Sequence, residues 1–180
     1  MPWITNLPLV LRMVVVVRPV PIMPYPQDGK IGTENGSRVN PDFFDLLRSC
    51  HLRLVGAPLG GPDATARWLY EDAPFCVLAH DASDDPRFTY ANRTAQRCFE
   101  YDWAELVGMP SRLSAEPDRW EDRQRLLDAV HRDGFAEGYR GLRIAKSGRR
   151  FWIEDVTMWN LVDDGALVGQ AATYGHWRDA

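Results

Sequence analysis

The sequence predicts an α+β fold: a five-stranded, mostly antiparallel sheet with short helices on one face, preceded by a helical flank. Three observations carry this. The apolar run Phe75-Cys76-Val77-Leu78-Ala79 and the aromatic, β-branched run Phe88-Thr89-Tyr90 lie on either side of the turn sequence Asp84-Asp85-Pro86, which is a hairpin signal. Between Asn92 and Val107 the hydrophobic period becomes helical and is restarted once by a capping residue. From Tyr139 onward, strand-like runs alternate with the tight turns Lys146-Ser147-Gly148 and Asp163-Asp164-Gly165, as they do in a meander.

Composition narrows the class. A chain of 180 residues, 45% of them hydrophobic, can bury one ordinary core and carry an extension. Its seven Trp, six Tyr and seven Phe must fill that core or line a cavity inside it. A net charge of −4, with no basic stripe, argues against a nucleic-acid binder. Cys50, Cys76 and Cys98 form no CxxC and lie among apolar residues, so free buried thiols in a reducing, cytoplasmic setting are expected. The apolar stretch from Leu7 to Val17 is interrupted by Arg12 and is shorter than the about 20 residues a bilayer span requires, so no membrane partner is expected. A basic leader with a small-residue cleavage site is also missing, so export is not expected.

In chain order, residues 1–40 hold six of the thirteen prolines and no period. A disordered arm is expected there, with Met13 and Met23 as candidate later starts. Residues 41–72 read as the helical flank. Asp42 is the expected cap of a helix bearing Phe43, Phe44, Leu46, Leu47, Cys50, Leu52, Leu54 and Val55 and stopped by Gly56. Asp63 is the expected cap of a second helix through Trp68, Leu69 and Tyr70. These apolar faces can pack on the chain's own sheet. Exposed Phe43, Phe44, Leu47 and Leu54 would instead drive self-association, so a homodimer is expected as well.

Residues 73–180 form the expected core. Asn92 is placed as the structural cap of a helix carrying Ala95, Cys98 and Phe99. Asp102 caps the next, with Trp103, Leu106 and Val107, and Gly108-Met109-Pro110 ends it. A longer helix opens near Asp118, with Trp120, Leu127 and Val130 on one face. Its arginines, Arg123 among them, are balanced by acidic residues and read as a solvated face. Strands follow near residues 139–144, 149–161 and 167–177. Gly169, Ala171, Ala172 and Gly175 mark a close approach in the last of them.

This order, with TYANRTAQRCF, WAELVG, KSGRRFWIEDV and DDGALVGQAATY, resembles a PAS domain. More narrowly, the run from Leu69 to Trp177 resembles the MEKHLA domain, a PAS-like module found free-standing in bacteria and at the C-terminus of some plant homeodomain-leucine zipper proteins. The fragments APFCVLAHD, FTYAN, PSRLSAEP, GRRFWI and WNL carry the likeness. It implies a sensor or interaction module and no known reaction. In the light-sensing LOV branch, a cysteine in an NCRFLQ-like motif attacks a flavin. Here that position is Ser111, preceded by Pro110, and Ile153 stands where an amide is expected on the long strand. A serine hydroxyl forms no such photoadduct, so the identity of any cofactor stays open.

No GxSxG, phosphate loop or HExxH occurs, and no catalytic residue is assigned. His80, Asp81, Asp84 and Asp85 are read as turn and capping residues, and no metal ligand is assigned. Two functions remain. In one, the sheet and the helices over it enclose a small apolar or aromatic ligand, with Phe99, Trp103, Trp152 and Trp159 as walls and Arg140, Arg143, Asn160 and Gln170 as polar contacts. In the other, the rings fill the space and the domain is a ligand-free interaction or dimerisation unit. A small enzyme is a distant third. Both arginines pairing with Glu137 or Glu154 would weigh against the first. Deleting residues 1–36 should leave a domain that still unfolds cooperatively in urea, and loss of that transition would overturn the assignment of the arm.

Overall fold

The computed structural model describes residues 38–116 and 120–180, so the readings of residues 1–37 and of the helix start at Asp118 lie outside it. Helix α1 runs Pro41–Val55 and α2 runs Ala66–Glu71. The cap of α1 is Asn40, whose side chain accepts from the amides of Asp42 and Phe43, and not Asp42. Pro41 explains the shift, because its fixed φ suits the first helical position. Thr65, not Asp63, caps α2, and Asp63 sits inside a turn closed by the Ala64 amide on the Gly61 carbonyl.

Six strands follow the flank: β1 (Cys76–Asp81), β2 (Phe88–Ala91), β3 (Phe135–Ile144), β4 (Arg150–Asp163), β5 (Ala166–Tyr174) and β6 (His176–Asp179). Five lie in the order β2-β1-β5-β4-β3 with every neighbour antiparallel. The sixth, β6, resumes after Gly175 and pairs with the first part of β4, from Phe151 opposite Asp179 to Glu154 opposite His176. Helices α3 (Arg93–Phe99), α4 (Trp103–Leu106) and α5 (Trp120–Asp133) and a 3-10 turn at Ser111–Ser114 connect β2 to β3.

Alternation along the strands gives the sheet two covered faces. The inner face, under α3 and α5, presents Cys76, Leu78 and His80 of β1 and Tyr174, Ala172 and Gln170 opposite them on β5. The outer face presents Val77, Ala79, Trp159, Leu161 and Ala171 to α1. There Phe43, Phe44 and Leu47 are 6%, 7% and 0% exposed, and the His51 ring meets Trp159 edge-on at 4.7 Å. Leu52, expected on the same face, is 55% exposed, whereas Phe43, Phe44 and Leu47 are covered within their own chain. This corrects the expectation that Phe43, Phe44 and Leu47 drive self-association, since burying them removes the patch that would attract a second copy.

Two local features fix the faces. At Asp155 the backbone enters the left-handed region (φ 51°), and β4 gains a residue where its partner changes from β6 to β5. Such a bulge inverts the alternation beyond it. At Gly169 a Cβ would lie 2.2 Å from the His80 carbonyl oxygen, so only glycine allows β5 to approach β1 there.

Asn92 joins the helices to the sheet. Its side chain is fully buried; Oδ1 accepts from the amides of Val77 (3.0 Å) and Ala95 (3.0 Å), and Nδ2 donates to the carbonyls of Leu69 (3.2 Å) and Phe75 (2.8 Å). It caps α3 and simultaneously holds the end of α2 and the start of β1. Asn92→Ala should cost on the order of 3 kcal/mol, because several buried groups lose their partner at once. Urea unfolding would show a lower midpoint with an unchanged slope; a shift equal to that of an exposed cap would contradict this account.

Candidate functional site

The inner face has an apolar end and a polar end. At the apolar end Phe99 meets Phe151 edge-on at 5.2 Å, and the Tyr174 hydroxyl donates to Cys98 Sγ at 3.9 Å. The three cysteines are free and buried. Burial pushes the Tyr174 phenol and the Cys76 thiol well above their usual ranges, so both are neutral.

The polar end is built from strand register and one helix. His80, Gln170 and Asn160 lie side by side across β1, β5 and β4. Gln170 Nε2 donates to Asn160 Oδ1 (3.0 Å) and to the Leu127 carbonyl of α5 (3.2 Å), and Asn160 Nδ2 donates to the His131 carbonyl (3.3 Å). These amides tie α5 to the sheet. His80 Nδ1 lies 2.8 Å from the Asp81 carbonyl and so carries the proton, whereas Nε2 is buried with no partner among the described residues.

Two arginines complete this end. Arg143, on β3, lies opposite Phe151 and therefore shares the inner face. Its side chain and that of Tyr139 fold over Gly141, where a Cβ would come within 2.7 Å of Arg143 Nη1. Arg123, on α5, donates to the buried Ser111 hydroxyl. Together with Leu78, Phe88, Phe99, Leu127, Ile153, Val156 and Met158, these groups enclose a cavity of about 60 Å³. That is room for a few waters and far below the roughly 300–1,000 Å³ of drug-sized sites.

The expected site residues divide. Phe99, Arg143 and Gln170 line the cavity, and Asn160 supports Gln170 from behind. Arg140 does not: alternation turns it to the outer face, where its guanidinium stacks 4.1 Å over Trp152 and pairs with Glu154. Trp152 and Trp159 are both outside the cavity, because the bulge at Asp155 sends two positions of opposite parity to the same outer face. Trp103 also lies elsewhere, edge-on to Tyr70 (5.7 Å) and Tyr90 (5.9 Å), since α4 begins on the side of β2 that faces α2. Arg123, read as solvated, is only 8% exposed. Its spacing to Leu127 and Val130 would have placed it on the buried stripe of α5.

A larger surface cleft of about 470 Å³ opens between α3 and β6. Of the two arginines that line it, Arg149 is engaged by Glu100 and Asp179, and Arg97 donates to the Thr94 hydroxyl. Among the described residues no cluster of His, Cys, Asp and Glu could hold a metal ion, and no helix is long and apolar enough to cross a membrane.

The family profile described as MEKHLA domain matches residues 42–179. The chain belongs to the MEKHLA domain family. Among solved structures, the MEKHLA chain is similar to the PAS domain of a protein from Colwellia psychrerythraea, with a TM-score of 0.53 at 18% identity, covering 64% of this chain and 92% of that one. A LOV protein from Rhodobacter sphaeroides gives 0.52 at 13%, covering 60% and 62%. An RNA-binding Light-Oxygen-Voltage receptor gives 0.53 at 20%, covering 68% of this chain and 36% of its own. The shared feature is the PAS fold. No curated protein matches the chain.

In this MEKHLA domain burial lowers His80 to about 4, with the Arg123 charge adding to the effect. The unfolded chain therefore takes up a proton below pH 6.5 that the folded chain refuses, and stability falls with pH between 6.5 and 4. From pH 7 to pH 5 this amounts to about 2 kcal/mol. His51, also lowered by burial, adds a loss of the same sign. Urea titrations at the two pH values should show the loss to be smaller in His80→Gln; an equal loss in both proteins would contradict the assignment.

Proposed function

We propose that this MEKHLA domain is a non-catalytic sensory module whose signal is a small molecule entering the inner cavity. The observation that carries the reading is the polar end of that cavity, where His80 Nε2 is buried without a partner beside side chains that hold α5. A core built only for packing would satisfy or remove such a group. Its low basicity also makes His80 a poor proton acceptor at neutral pH, which fits binding better than turnover.

Transmission has a physical route. Among the described residues, Leu127 and Val130 of α5 pack with Met158, and Gln170 and Asn160 supply polar ties to the helix. A ligand that engages Gln170 competes with the tie to the Leu127 carbonyl and shifts α5. Trp159, next to Asn160 on β4, touches His51 of α1 on the other face, so the same strand connects the cavity to the helical flank. The small free volume favours a second reading, a ligand-free interaction domain with a filled core.

Native mass spectrometry of gently purified protein separates the two. A mass above the bare chain, lost in a cavity-filling Ala172→Leu variant that still folds, is the expected result. A bare mass, together with no thermal shift across a panel of small aromatic and aliphatic metabolites, leaves the interaction reading.

A further inference from the structure

We infer that the polar end of the cavity receives the carboxylate of a small organic acid, clamped by Arg123 and Arg143 and oriented by His80. The inference rests on the ligand-sensing reading above and names the class of ligand.

Both guanidinium groups belong to residues only 8% exposed. A buried charge without a counter-charge is strongly unfavourable. Yet among the described residues neither has a carboxylate within ion-pair distance. Arg123 donates to a neutral hydroxyl, on Ser111, and Arg143 to a neutral carbonyl, on its neighbour Leu142. Asp85 acts on Arg123 from a distance while its own side chain is held by Arg112 at 3.0 Å. The two guanidinium groups also feel each other: burial first, then the Arg143 charge, hold Arg123 down to about 10. Each arginine has five N–H donors in a planar fork suited to a carboxylate, and among the described residues most of these find no acceptor. One bound anion would relieve both the desolvation and the repulsion.

The rest of the lining selects among anions. Apolar side chains, Phe88, Phe99, Ile153, Val156 and Met158 among them, make up much of the remaining wall beside Ser114, Tyr139 and Tyr174, which favours a largely apolar body over inorganic phosphate or a polycarboxylate. Nε2 of His80, unprotonated and unpartnered, accepts from a hydroxyl on the ligand or becomes protonated beside the carboxylate. The free volume of about 60 Å³ admits only a few heavy atoms beyond the carboxylate, so short-chain acids fit first and larger ones must displace α5.

The full chain, in a buffer free of carboxylates, is titrated with acetate, isovalerate and phenylacetate, each beside its primary amide, and with inorganic phosphate, while thermal midpoint and calorimetric affinity are read. At least one carboxylate should raise the midpoint while its amide does not. Arg143→Met should weaken that carboxylate at least tenfold. Without ligand the same variant should melt no lower than the parent, because a buried repulsive charge is gone, whereas a purely structural arginine would lower it. Arg140→Met, on the outer face, should leave the response unchanged. If Arg143→Met does not fold, Arg143→Lys tests the same point, since an ammonium keeps the charge and loses the fork.

Amides binding as well as their acids, phosphate as the sole ligand, or a full carboxylate response in both Arg143 variants would overturn the inference. Binding of neutral molecules alone would do so while leaving the sensory reading intact. No binding by any probe, with a bare native mass, would remove both.

Discussion

One buried amide holds the inner layer to the sheet. The Asn92 side chain has two donor hydrogens and an oxygen with two lone pairs, and all four are used on backbone groups of different elements. No other side chain satisfies that geometry: Asp lacks the donors, and Gln carries the amide one methylene too far. Because the bonded groups belong to α2, the segment before β1, β1 itself and α3, the angle of α3 on the sheet is set before any ring packs. The depth of Phe99, and with it one wall of the cavity, follows from that angle.

Much of the architecture was legible because local chemistry and tertiary role agree. The Asp102 cap is seen with a reciprocal bond from the Asp102 amide to the Glu105 carboxylate, and the Lys146-Ser147-Gly148 turn joins β3 to β4. Glu100 and Glu105 pair with Arg149 and Lys146, which fastens that hairpin to α3 and α4. These contacts join residues far apart in sequence and could not be read from it. The start of β3 was hidden for a related reason: Gly138 adopts a positive φ and the β3–β4 register slips twice near Tyr139, so no clean alternation marks residues 135–138.

The cavity was less legible than the fold, for a reason that lies in parity. Counting by two from Phe151 puts Arg143 inside and Arg140 outside, because Arg143 pairs with Phe151 and Arg140 falls between inward positions. Past Asp155 the same count fails, and nothing about an aspartate announces a bulge. Trp159 therefore lies on the outer face, while Gln170 lines the cavity and Asn160 stands behind it. Arg123 was missed by the opposite error, in which charge balance along α5 outweighed a helical spacing that pointed to the core.

The burial of α1 on the outer face has a further consequence. A helix tethered to the sheet through residues 56–75 competes for that face at an effective concentration on the order of millimolar. Any chain that would lie across Val77, Ala79 and Trp159 must first displace this tethered occupant, and its apparent affinity is reduced by the small fraction of time the face is bare. The flank thus acts as a threshold on encounter, and whatever loosens the contact between His51 and Trp159 lowers it.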